Sequence, residues 1–156
     1  MDQWKRSFID KLNNAQTRCA KRFEDALEQT VVPGFEEVAG FVRDHGFKVS
    51  SPLQERGRRS FKFELAENAY LLMIFRFTSV GEFELRCETF VPACQPVLRR
   101  YVGRIADVSV EWSREQFQVG LDAFVELLSG DGSPSAAAGA SPAAPEAEPV
   151  EDLLNV

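Results

Sequence analysis

Three cysteines and one histidine are the residues of this chain with the most distinctive chemistry. Cys19, Cys87 and Cys94 form no CxxC pair, and their odd number leaves no complete disulfide framework. A cysteine nucleophile needs a neighbouring base, and His45 lies far from these thiols in sequence. We therefore expect free thiols that pack as small core side chains. His45 is interpreted as a residue at the end of a helix, where the helix dipole favours it.

Metal, phosphate and acid–base motifs are recognised by their spacing. Cys87 and Cys94 lack a third and a fourth ligand at a recognisable spacing. The sequence contains no GxGxxG or Walker-type run. Carboxylates such as Glu82, Glu84 and Glu88 are numerous, but their alternation is typical of the solvated side of a strand. We predict no catalytic, cofactor-binding or metal-binding residue, and we expect that the protein is not an enzyme.

A basic segment is the best nucleic-acid feature of the sequence. It comprises four cations, Arg56, Arg58, Arg59 and Lys62. Arginine guanidiniums suit phosphates, and Phe61 or Phe63 would stack on bases if exposed. The interpretation that we favour is a charged hairpin that keeps an edge of a sheet from pairing with another molecule.

The distribution of charge argues against a duplex-binding surface. The whole chain has a formal net charge of −6. From Ser129 onward it holds five acids and no base, which leaves 18 bases and 19 acids upstream. Proteins that bind duplexes usually carry a basic surplus on the folded domain, and this domain is nearly neutral. Association with nucleic acid through the basic segment is therefore kept only as an alternative function.

The composition of the chain changes after Ser129. Residues 130–149 are rich in Ala and Pro and contain no large apolar side chain, so we expect a disordered linker. Residues 150–156 restore apolar side chains beside acids, at Val150, Leu153, Leu154 and Val156. On a helix the first three would share one face, in the i, i+3, i+4 spacing of segments that dock into a groove. We predict a recognition peptide for a protein partner; the alternatives are a frayed end and a segment that folds back on its own domain.

Apolar periodicity predicts two helices in the first third of the chain. Steps of three or four residues over 4–27 place apolar side chains on one face of a first helix. Pro33 and Gly34 are expected to break or kink it, because proline lacks a backbone donor and glycine adds conformational freedom. The spacing over 35–45 predicts a second helix, which ends at a glycine cap, Gly46.

A change to period two after the second helix predicts an antiparallel meander, because its connections are too short for parallel crossovers. We place its strands near residues 47–49, 61–65, 69–77, 83–91 and 105–112. The segment at 69–77 is apolar enough to be a central strand with both faces covered. Residues 97–104 fit either a helical turn or a further strand.

A capping box at 113–116 predicts the start of the last helix, which ends at Ser129 and Gly130. Residues 1–129 are thus predicted to form one α+β domain, in which two N-terminal helices and one C-terminal helix pack on a four- to five-stranded antiparallel meander sheet. In size and element order this domain resembles the bacterial secretion chaperones. The tethered peptide at 150–156 resembles in layout the targeting peptides that load cargo into bacterial protein shells. These resemblances imply a protein partner.

We therefore predict a non-enzymatic protein–protein interaction module, adaptor or chaperone-like, whose flexible acidic tail presents the C-terminal peptide to a partner. Homodimerisation is a further expectation, because the end of the first helix with Trp4 and Phe8 would project beyond the sheet. A ligand-binding or enzymatic pocket between helices and sheet is a second alternative. The longest uncharged apolar run, 69–75, is too short for a bilayer, and no signal peptide is recognised. We expect a cytoplasmic location and no membrane partner.

Overall fold

The computed structural model describes residues 2–130, which form an α+β fold around an antiparallel sheet. Its elements, in chain order, are α1 (Gln3–Ala26), a π-turn (Leu27–Val31), α2 (Val32–Arg43), β1 (Lys48–Ser50), β2 (Gln54–Glu55), β3 (Arg58–Ala66), β4 (Ala69–Ser79), β5 (Glu82–Phe90), β6 (Val97–Arg104), a 3₁₀ turn (Ile105–Asp107) and α3 (Val110–Leu128). The predicted fold class is confirmed at this level. Nearly all of the predicted linker at 130–149 and the whole peptide at 150–156 lie outside the described residues.

The N-terminal part of the chain is one long helix, so the predicted break into two helices is wrong. α1 passes directly through the π-turn into α2, and the backbone N–H of Val32 donates to the carbonyl oxygen of Leu27. Pro33 lies in the first turn of α2, directly after the π-turn, where proline's missing N–H and fixed φ are tolerated. The helix therefore runs from Gln3 to Arg43, a length of about 60 Å at 1.5 Å per residue.

Gly34 serves helix packing rather than helix termination. It is buried in α2 where α2 crosses α3. A Cβ at this position would lie 3.0 Å from the backbone nitrogen of Arg114 and 3.1 Å from the carbonyl oxygen of Val110. The absence of a side chain at Gly34 therefore lets the two backbones come this close.

The sheet has six strands, all paired antiparallel, in the order β1-β3-β4-β5-β6, and β2 also pairs with β3. Met73 in the centre pairs with Phe61 on one side and with Cys87 on the other. Residues 97–104, which fitted either a turn or a strand, form the edge strand β6. The sheet is thus slightly larger than the four to five strands predicted.

The helices cover only one face of this sheet. Along β4, Leu71, Met73 and Phe75 are buried against the helices, whereas Leu72 and Ile74 on the opposite face are half-buried. The prediction that this strand is covered on both faces is therefore wrong. Its continuous apolar sequence does not distinguish a second covered face from a half-exposed one.

The chain between the sheet and α3 also differs from its prediction. A strand was expected near 105–112, but a short 3₁₀ turn is followed by α3, which begins at Val110. Ser109 caps this helix by accepting from the backbone N–H of Trp112. The capping box predicted at Ser113 is wrong because Ser109, four residues earlier, already caps the helix, and Ser113 is completely buried inside it.

The core lies between the long helix, α3 and the sheet, and phenylalanines dominate it. Phe117 of α3 is fully buried at its centre. Its ring centroid lies within 6.2 Å of those of four other phenylalanines, Phe35, Phe61, Phe63 and Phe75. Contacts of this kind join α2, α3, β3 and β4 into one unit.

Candidate interaction surfaces

The first part of α1 projects beyond the domain with its apolar side chains uncovered. We call residues 3–18 the α1 arm; at 1.5 Å per residue it is about 24 Å long. Trp4 is 66% exposed and Leu12 is 43% exposed, and Phe8 and Ile9 between them are also exposed. The rings of Trp4 and Phe8 stack on each other at 5.3 Å. Exposed apolar side chains that form a continuous stripe indicate a surface that binds something.

The apolar stripe of the arm continues along α1 into the core. Cys19, Phe23 and Leu27 carry the same stripe further and are all buried. The folded body of the domain therefore lies on the same side of α1 as the exposed stripe. An object that contacts the arm must fit into the angle between the arm and the body.

The arm is basic as well as apolar. Its cations are Lys5, Arg6, Lys11 and Arg18, and its acid is Asp10. Asp2 caps the helix by accepting from the backbone N–H of Trp4. An occupant with apolar side chains and neighbouring acids would complement this surface in both respects.

The basic segment predicted for nucleic acid is engaged with acids of its own domain. Arg59 donates to Glu28 at 2.8 Å and lies 3.7 Å from Glu24. The carboxylate of Glu24 also accepts from the backbone N–H of Gly57 at 2.6 Å, which ties the turn between β2 and β3 to α1. These contacts neutralise the most enclosed cation of the segment.

The other cations of the segment are placed differently. Lys62 lies 3.8 Å from Glu64 and over the ring of Tyr70. Arg58 lies 3.7 Å from Glu55, and Arg56 is exposed in the turn. Phe61 and Phe63 do not meet the condition of exposure that base stacking requires, because both rings are fully buried in the core.

Glu84 is a buried carboxylate on the sheet face opposite the helices, although the sequence placed it on a solvated face. Arg76 donates to it at 3.0 and 3.1 Å, and Arg100 donates to its other oxygen. Burial by itself raises the pKa of Glu84, but the hydrogen bonds from Arg100 and Arg76 outweigh this and hold the pKa below its ordinary value. This cluster joins β4, β5 and β6 on the uncovered face.

Replacement of Glu84 by glutamine is expected to lower the free energy of unfolding by about 1–2 kcal/mol at neutral pH, because two guanidiniums lose their shared anion. The partial exposure of Arg76 keeps the loss below that of a fully buried pair. Since the pKa of the folded carboxyl is lowered, its contribution is complete above the ordinary carboxyl pKa and is lost as the pH falls through the folded value.

Urea unfolding at pH 7 and at acidic pH tests this prediction. The difference between the parent and Glu84→Gln should shrink in acid. Glu82→Gln is the matched control, since Glu82 lies on the same strand but is exposed. A difference between the parent and Glu84→Gln that does not depend on pH would contradict the assigned role.

The thiols and the histidine occupy structural positions. The three cysteines are free, with Cys19 buried and Cys87 and Cys94 half-buried. Burial of its thiol raises the pKa of Cys87 to about 11, so this group is protonated at neutral pH and is a poor nucleophile. His45 lies in the turn just after the long helix, where its Nδ1–H donates to the carbonyl oxygen of Phe41 at 3.0 Å.

A groove of about 460 Å³ opens between α2, α3 and the chain leading into β1. Its walls are mainly apolar and include Phe41 and Val125, which are 66% and 50% exposed. Between the helices and the sheet, by contrast, a void lined by Phe23, Leu27 and Phe83 measures only about 10 Å³. The groove therefore lies on the helical side of the molecule and not where the sequence suggested a ligand pocket.

In residues 2–130, no three histidine, cysteine or acidic side chains are placed to hold a metal ion. No helix in this part combines the length and apolarity that crossing a bilayer requires. No protein-family model matches the chain, and neither a curated protein nor a solved structure matches it.

Val150, Leu153, Leu154 and Val156 lie outside the described residues. The arm end with Trp4 and Phe8 lies where the sequence suggested that a helix would project. The buried Glu84 and the α2–α3 groove were missed. Their residues belong to ordinary alternating or helical patterns, which do not reveal which positions a neighbouring element leaves uncovered.

Proposed function

We propose that this protein is a non-enzymatic protein–protein interaction module, adaptor or chaperone-like. The observation that carries the proposal is the uncovered apolar stripe of the α1 arm, from Trp4 to Leu12. A monomeric domain gains no stability from a helix that extends away from its core with aromatic side chains in water. Contact with a protein partner would bury these side chains and would explain why this part of α1 is apolar.

The shape and charge of the arm specify the kind of partner. Because the body lies on the same side as the stripe, a flat surface would meet the body before it covered the whole stripe. A discrete protein element about as long as the arm fits this angle. The surplus of basic side chains favours an element that carries acids beside its apolar residues. The partner is therefore expected to offer an acidic amphipathic segment.

A second copy of the chain complements the arm less well. Two arms laid side by side would bring two sets of basic side chains together, which opposes their pairing. Sedimentation of the purified protein at high concentration tests the predicted homodimer. A monomer would exclude the second copy as the occupant of the arm.

The tail peptide at 150–156 is proposed as a second contact for a protein partner. The protein itself is proposed to be cytoplasmic. This part of the proposal comes from the sequence, since leucines that follow a segment without large apolar residues are best explained by something that binds them. Equal recovery of the partner by the full chain and by a Leu153→Asp/Leu154→Asp variant would remove the tail from the binding function.

The arm is tested by the double variant Trp4→Asp/Phe8→Asp. We expect a loss of partner recovery of at least about tenfold, because two aromatic anchors near the centre of an interface commonly account for more than 1.4 kcal/mol. Asn14→Asp/Thr17→Asp adds the same charge to exposed polar positions of the arm and is the matched control. The measurement is affinity capture with the full chain, followed by identification and titration of the captured protein.

A photo-crosslinker locates the contact. Placed at Ile9, on the apolar side, it should join to the captured protein; placed at Asn14 it should not. Equal crosslinking from both positions, or unchanged recovery by Trp4→Asp/Phe8→Asp, would contradict the proposed use of the arm.

The nucleic-acid alternative predicts binding that weakens with salt and with Arg56→Ala, Arg58→Ala, Arg59→Ala and Lys62→Ala. Arg58, Arg59 and Lys62 each lie beside a carboxylate of the same domain. This arrangement leaves little positive charge for phosphates, so the protein-binding function is preferred.

A further inference from the structure

The α2–α3 groove is a second uncovered apolar surface, at the other end of the long helix from the arm. Val38, Phe41 and Val42 of α2 face Leu121 and Val125 of α3 across it. Phe47 lies between them and packs edge-on against Phe124 of the core at 6.0 Å. The groove is therefore a surface depression with apolar walls, about the size of small-ligand and peptide sites.

Polar side chains lie around this apolar interior. Arg114 donates to Glu37 at 3.2 Å and links α3 to α2 on one side of the groove. His45 and Asp122 also border it. An occupant needs a narrow apolar face for the interior, with polar side chains turned toward water.

The C-terminal peptide has this character. On a helix, Val150, Leu153 and Leu154 would share one face, and Glu151 and Asp152 would turn away from it. Three medium-sized apolar side chains at i, i+3 and i+4 are the usual anchors of a helix that docks into a groove. The segment thus offers apolar anchors on one side and charge on the other.

The position of the groove places it within reach of this peptide. α2 and α3 run in the same direction, since Gly34 lies against Ser113 near their starts, and Phe41 and Val125 near their ends line the same groove. The tail therefore leaves α3 at Gly130, only about 8 Å of helix rise beyond Val125. A random-coil chain of about 20 residues has a root-mean-square span of about 25 Å, which exceeds this distance, so a chain as long as the sequence from 130 to 149 can turn back to the groove without being stretched.

The arm, by contrast, is poorly placed for the same peptide of the same chain. From Phe41 back to Trp4 the long helix extends about 55 Å, so the linker would have to be stretched close to its limit. The local concentration of a tethered peptide falls steeply when its linker is overstretched. Within one chain, the groove is favoured over the arm.

We propose that residues 150–156 dock in the α2–α3 groove of their own chain, with Val150, Leu153 and Leu154 in the apolar interior. This inference rests on the proposed function, because it describes how the recognition peptide is held before a partner competes for it. This intramolecular contact would limit the access of a partner to the peptide. A partner that binds the peptide must first displace it from the domain.

Nuclear magnetic resonance of the full-length, isotope-labelled protein tests the docking. In the parent, the amides of 150–156 should show order parameters above about 0.6, as in ordered structure. Phe41→Asp/Val125→Asp should lower them below this value, and Leu153→Asp/Leu154→Asp should shift the resonances of the groove segments 38–42 and 121–125. Phe41 and Val125 are exposed, so these substitutions leave the core intact. Val80→Asp, at an exposed apolar position elsewhere, is the control and should change neither.

Two results would overturn this inference. One is a peptide whose order parameters stay low in the parent and whose substitution leaves the groove resonances unchanged. The other is a shift that depends on protein concentration, which would place the peptide on another copy. The proposed function is judged separately by Trp4→Asp/Phe8→Asp, because those substitutions leave the groove and the peptide in place.

Discussion

Replacement of Phe117 by alanine is expected to lower the free energy of unfolding by about 3–5 kcal/mol, the usual cost of removing a large buried aromatic side chain. Phe117 is fully buried, and its ring contacts those of Phe35, Phe61 and Phe75. The surrounding rings belong to two strands and a helix that are fixed by other contacts, so the cavity cannot collapse easily. A loss of this size is a large part of the stability of a typical domain.

Urea unfolding followed by circular dichroism measures this loss. Phe8→Ala is the matched control, since it removes the same side chain from a position in the arm that is 48% exposed. The control should change the free energy of unfolding by less than about 0.5 kcal/mol. Similar losses for the two variants would mean that Phe117 is not at the centre of the core.

Replacement of Gly34 by alanine is expected to destabilise the domain by about 2–3 kcal/mol, near the upper end of the usual cost of overpacking. The new methyl group would lie 3.0 Å from the backbone nitrogen of Arg114 and 3.1 Å from the carbonyl oxygen of Val110. Backbone atoms of α3 cannot move aside as a side chain would, so α2 and α3 must separate. The higher helix propensity of alanine recovers only part of this cost.

Replacement of Gly40 by alanine, in the same helix, is a control that should change the free energy of unfolding in the opposite direction. A Cβ added there meets no atom within 4 Å. Gly40→Ala should therefore stabilise the protein by about 0.5–1 kcal/mol through helix propensity alone. Thermal or urea unfolding of both variants measures the contrast. A stabilised Gly34→Ala protein would contradict the close approach of α2 and α3.

Strand and helix periodicity predicted most of the fold because both depend on local side-chain patterns. The strands predicted at 61–65 and 69–77 lie within β3 and β4, and the strand predicted at 83–91 coincides with β5 except for its last residue. The prediction failed at Pro33 and at Ser113, where two signals competed. Pro33 indicates a break unless the preceding turn widens, and Ser113 indicates a cap unless another serine already provides one. Tertiary packing decides both cases.

The surfaces were less predictable than the elements. The sequence suggested that the end of the first helix with Trp4 and Phe8 would project beyond the sheet. Phe41 and Val38 belong to one helical stripe, but only Val38 is buried. The sequence did not indicate this difference in exposure. Exposure along a stripe depends on how far the neighbouring helix reaches, which no local pattern records.

The π-turn sets the direction in which the arm points its apolar side. From Ala15 to Phe35 an apolar residue recurs at every fourth position, and on a regular α-helix each such step rotates by about 40°. The wider turn at 27–31 absorbs part of this rotation, so that Phe23, Val31 and Phe35 all reach the core. If the same residues wound as a regular α-helix, the residue that the wider turn accommodates would add about 100° of rotation and swing the arm around the helix axis. The direction in which the apolar side of the arm faces is thus set by residues 27–31, which lie outside the arm.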